Sequence, residues 1–158
     1  MSKLTVKDSI EHWKTQVLHF FDHIAAAARQ DGWSETLSDT DVQEDPYALG
    51  ASISYRAPVL VLRRSGPQGT EQRVTFEPRH RFTLGAAGRI DVYSSPAIRD
   101  AMLLRPANTE NAENLTFDEV EERVAEAPWR AFSVERMPLA VDFNSDSSIV
   151  QFLQDLAA

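Results

Sequence analysis

The sequence predicts an α+β fold: a long N-terminal amphipathic helix packed on an antiparallel β-meander, with two shorter C-terminal helices. Three observations predict it. Apolar residues recur at alternating spacings of four and three from Val6 to Ala27, then at a period of two between Tyr47 and Arg105, and helix-capping signals return after residue 115. The strand-like segments are short and joined by compact turns, which leaves no room for the crossover helices of parallel βαβ units. At 158 residues the chain is expected to be a single α+β domain, 1–158.

The first helix is expected over residues 6–31. Val6, Ile10, Trp13, Val17, Phe20, Ile24 and Ala27 form one apolar stripe, Thr5 and Asp8 approximate a capping box, and Gly32 is a natural stop. Such a stripe suits a helix lying across a sheet, and it also suits a helix pair between two copies of the chain. Residues 34–46 carry five acids and no base, and read as a solvated acidic linker.

Residues 47–105 are expected to hold the antiparallel strands. Ile53 and Tyr55 alternate, Val59-Leu60-Val61-Leu62 is a continuous apolar run, and Ser65 to Gly69 is turn chemistry. Val74, Phe76, Pro78, His80, Phe82 and Leu84 then share one parity, with Pro78 marking an edge, a bulge or a break. Gly85 to Gly88 makes the next turn, Ile90 and Val92 continue the alternation, and Ala101 to Arg105 supplies a further strand. Residues 116–158 read as helix, strand, helix. Thr116 and Glu119 cap a short helix that Pro128 ends, Trp129 to Val134 and Met137 to Val141 are strand material, and Asn144 or Ser145 caps a last helix burying Ile149, Phe152, Leu153 and Leu156.

Composition excludes several classes of function. The 42% hydrophobic and 25% charged content is that of a folded soluble domain, not a disordered or fibrous chain. No apolar run reaches the ~18 residues of a membrane-spanning helix, and Met1 to Thr5 holds no secretory core, so a cytoplasmic protein with no membrane partner is expected. The absence of cysteine removes disulfides, thiolate metal sites and a cysteine nucleophile.

The net charge of −8 is unevenly laid out. Residues 1–55 carry four basic residues against nine acids, residues 56–105 nine arginines against four acids, and residues 106–158 three arginines against eleven acids. If Val74 and Phe76 face the core, Arg73, Glu77, Arg79 and Arg81 face out, and Arg63, Arg64 and Arg89 extend the band wherever their strands adjoin. Outward guanidinium groups recognise carboxylates and phosphates by paired hydrogen bonds. Tyr55 and Tyr93 offer stacking for a single-stranded nucleic acid, but no RNP-like aromatic signature accompanies them. The acidic segment 117–127 offers cover for the same arginines within the chain, and the overall negative charge makes an acidic protein partner a better match than nucleic acid.

His12, His19 and His23 fall within about 40° of one another on the long helix, on the flank away from its apolar stripe. His19 and His23, four residues apart, can share one metal ion, whereas Phe20 stands where a zinc-protease helix requires glutamate. His80, flanked by Arg79 and Arg81, falls on the inward parity and reads as a hydrogen-bonded core residue. The Gly85–Gly88 turn lacks the lysine of a phosphate loop, no G-x-S-x-G elbow is present, and Asp142, Asn144 and Asp146 lack the glycine and distal glutamate of a calcium loop.

These readings converge on a small accessory protein without catalytic residues or cofactor, of the inhibitor, immunity or adaptor type. It is expected to bind another protein with an acidic surface through the arginine-rich strands, with the N-terminal helix as a docking or homodimer element. The alternatives are a nucleic-acid-binding accessory domain using the same arginines and a metal-dependent enzyme built on His19 and His23.

Overall fold

A computed structural model describes residues 6–44, 52–80, 88–95, 100–104, 129–133, 140–143 and 145–157. The periodic N-terminal segment forms helix α1, Val6–Gln30. A Schellman arrangement ends it: the Trp33 N–H donates to the Ala28 carbonyl at 3.1 Å and the Gly32 N–H to that of Arg29 at 3.3 Å. Gly32 takes φ +82°, the left-handed turn that lets the chain leave the helix.

The chain then builds β1 (Ser34–Glu44), β2 (Ile53–Ser65), β3 (Glu71–His80), β4 (Arg89–Ser95), β5 (Asp100–Leu104), β6 (Arg130–Ser133) and β7 (Ala140–Asp142). These strands form one sheet in the order of the sequence, every neighbouring pair antiparallel. Helix α2, Asp146–Ala157, closes the described chain.

Period two on β2, β3 and β4 decides which face is covered. Leu60 pairs with Phe76, Leu62 with Val74, Val74 with Ser94 and Phe76 with Val92, and all six side chains are buried. Trp13, Val17, Phe20, Phe21 and Ile24 of α1 and Ile149 and Leu153 of α2 complete this core. Fully burying each such aliphatic or aromatic side chain contributes about 1.5–3 kcal/mol before the cost of ordering the chain. An aromatic chain joins both helices to the far strands. Phe20 stacks on Trp129 at 4.4 Å and meets Phe143 at 5.5 Å, and Phe143 meets Phe152 edge-on at 4.9 Å.

Three expectations change. Residues 34–44 are not a linker but strand β1, paired along its whole length with β2. Backbone pairing to an apolar neighbour outweighs an acidic composition when the acids point to solvent. The apolar stripe of α1 is consumed within the chain, so a helix pair formed through that stripe would have to uncover the core. Of the two C-terminal helices only α2 lies among the described residues; the expected helix over 117–127 falls outside them.

Candidate functional site

The arginine-rich strands divide between two faces of the sheet. Inward, Arg64 sits at the end of β2 beside Gln72, its register partner on β3. Its guanidinium donates to Asp31 at 2.9 Å and Gln72 at 2.6 Å and lies 4.4 Å from the centre of the Trp33 ring. Arg64, Asp31 and Gln72 line a cleft of about 640 Å³ with Gly32, Gly66 and Gln154. Arg64 therefore belongs to the helix side and leaves the outward band.

Arg63, Arg73, Arg79 and Arg89 share the opposite face. Register puts Arg63 beside Arg73, and Glu77 beside Asp91. One carboxylate serves two guanidinium groups at each end of this patch. Glu71 forms ion pairs with Arg63 at 3.3 Å and Arg73 at 3.5 Å, while Asp91 accepts from Arg79 at 3.1 Å and from Arg89 at 2.7 Å. Arg63 also donates to the Thr36 hydroxyl at 3.2 Å.

A β-bulge between Pro78 and His80 sets Arg79 apart. Pro78 carries no N–H, so the ladder slips there by one residue and Arg79 has no register partner. Its guanidinium donates to the Tyr93 hydroxyl at 2.6 Å, and that hydroxyl donates on to Asp91 at 3.2 Å. The same group lies 5.9 Å from the Tyr93 ring centre and 3.8 Å from Glu77. The hydrogen bond to Tyr93 raises the Arg79 pKa above its ordinary value; burial opposes the shift, and Glu77 and Asp91 reinforce it. Even so, the Arg79 side chain is 44% exposed.

Among the described residues this face carries four guanidinium groups and three carboxylates. Interleaved carboxylates lower the positive field that a phosphate backbone would meet at this face. Arg81 lies outside the described residues, and past the bulge the register sets His80 opposite Arg89, so the simple alternation stops at Pro78.

The histidines of α1 are exposed. His23 approaches Asp146 of α2 at 3.4 Å, an exposed contact between the helices. Among the described residues no three His, Asp or Glu side chains stand together in a way that could hold a metal ion. No helix among them is long and apolar enough to cross a membrane.

Comparison with protein-family models, with curated proteins and with solved structures finds no match.

Two features were not anticipated from the sequence. Pairing of Glu71 and Asp91 with the arginines depends on strand register, which composition does not carry. The exposed edge presented by β1 was hidden by its acids, although Thr36, Ser38, Thr40 and Val42 alternate at period two and would have flagged it.

Proposed function

We propose that this chain is a small accessory protein, of the inhibitor, immunity or adaptor type, that binds another protein through the outer face of β2, β3 and β4. One observation carries the reading: Arg79 is fixed by Asp91 and Tyr93 while nearly half of its side chain stays open to solvent. An arginine already held in place loses less freedom on association than a free one, and arginine and tyrosine are both enriched among the residues that carry binding energy at protein interfaces.

The two-to-one pairing at Glu71 and Asp91 supports a partner with acidic groups. Each carboxylate shares its charge between two arginines, so an incoming carboxylate on Arg63, Arg73 or Arg89 gains a charge-assisted bond without stripping an intact pair. Such complementarity raises the rate of encounter and the discrimination between partners.

A photo-crosslinking residue at Ser95, beside Arg73 in the ladder, tests this in cells of the native host. The expected result is one protein adduct that Arg79→Ala and Arg73→Ala each reduce and that nuclease treatment leaves unchanged. Only free monomer, or an adduct insensitive to both variants, would overturn the reading.

A further inference from the structure

A second docking element lies away from that face. β1 is the edge of the sheet: it pairs with β2 and, among the described residues, with nothing on its other side. Edge strands expose a row of main-chain donors and acceptors that can pair with another chain. From Ser34 to Asp39 every residue of β1 is exposed, on both faces of the strand, and Leu37 is 54% exposed. The far end is different, since Val42 and Glu44 are buried and the Tyr55 hydroxyl donates to the Glu44 carboxylate.

We propose that the free edge of β1 binds an extended segment of a partner protein that carries basic side chains at alternating positions. The alternation follows from the strand. Glu35, Leu37, Asp39 and Asp41 share one face, and Ser34, Thr36, Ser38 and Thr40 the other. An antiparallel strand laid along this edge meets acid, apolar, acid, acid on one face and small hydroxyls on the other. Glu35 is paired with Arg29 of α1, Asp39 has no ion-pair partner among the described residues, and Asp41 meets Arg56 only at 3.8 Å with both side chains largely exposed.

The same charges oppose pairing with a second copy of this chain in its central registers. Antiparallel self-pairing centred on Leu37 would set Glu35 against Asp39, and shifting the centre to Ser38 would set Glu35 against Asp41. A basic extended segment removes that repulsion and supplies the main-chain partners at once. The inference does not rest on the arginine face, and either can fail alone.

The probe is the blocked peptide Lys-Thr-Lys-Thr-Val-Thr-Lys, which matches β1 from Asp41 back to Glu35 in antiparallel register. Added to the full chain, it should form a one-to-one complex and slow amide exchange at alternate residues between Thr36 and Thr40. The double variant Asp39→Lys, Asp41→Lys, altered only at exposed positions, should weaken binding about tenfold or more. Two further peptides, N-methylated at odd or at even positions, separate strand addition from simple charge attraction. Only one phase of an added strand points its N–H groups at β1, so one peptide should bind and the other should not. Equal binding of both, equal binding of a peptide with glutamate in place of lysine, protection elsewhere in the chain, or self-association through β1 would each overturn the proposal.

Discussion

A methyl group at position 88 has no space to occupy. Built on Gly88, a Cβ would lie 2.3 Å from Cζ3 and 2.4 Å from Cη2 of Trp13, whose ring is wholly buried. Gly88→Ala should therefore lower stability by about 2 kcal/mol through overpacking, measured by denaturant unfolding. Gly32 offers a control of a different kind. Nothing lies within 4 Å of its missing side chain, so Gly32→Ala meets only the strain of a positive φ and should cost about 1 kcal/mol. The sequence marks both glycines as turn or stop positions, and Gly32 fulfils that reading. It does not say which ring a turn glycine will meet, because that contact joins residues distant along the chain. Arg79 shows the same limit: Pro78 announces a disturbance of the strand, but not that the slip leaves Arg79 lying on Tyr93.

At the scale of an element, the ends and periods were legible and the pairing was not. α1 runs almost as its apolar spacing predicts, and the last helix starts where its capping residues place it. Ser145 caps that helix: its hydroxyl accepts from the Ser148 N–H at 3.2 Å, while the Ser148 hydroxyl accepts from the Ser145 N–H at 3.2 Å. Ser145→Ala should cost about 1 kcal/mol, visible as a lower thermal midpoint and earlier fraying of α2 in hydrogen exchange. β1 escapes a sequence reading because four acids in eleven residues look like a solvated run until the neighbouring strand is considered. Leu37 and Leu60 face each other across the ladder yet differ sharply, one 54% exposed and the other 1%. Leu60→Ala should cost about 2–5 kcal/mol for a lost core contact, whereas Leu37→Ala should change stability by less than about 0.5 kcal/mol. Equal losses at the two positions would mean that the open edge of β1 is covered.

Across the whole molecule, two helices from opposite ends of the chain meet over one sheet, and the aromatic chain through Phe20, Trp129, Phe143 and Phe152 ties them together. Phe143→Ala should lower stability by about 3–5 kcal/mol and loosen α1 and α2 in step, so that their amides exchange at matched rates. The segregation of charge along the sequence was legible from residue counts. Its local neutralisation was not, since Glu71 and Asp91 reach the arginines only after the register is fixed. Partner capture at the outer face should slow as salt is added, with little change in the rate of release, because the residual field acts on encounter. Stopped-flow association at low and high ionic strength measures that difference.

Every indole of this chain is interior: Trp13, Trp33 and Trp129 are 0%, 3% and 8% exposed, and the rings of Trp13 and Trp129 lie 5.7 Å apart. Their emission is consequently an intrinsic gauge of core integrity, short in wavelength while the core is dry and moving to the red when water enters. No indole lies on the arginine face, so a ligand seated there leaves the spectrum still. A red shift on mixing would therefore report that the visitor has pried the helices from the sheet.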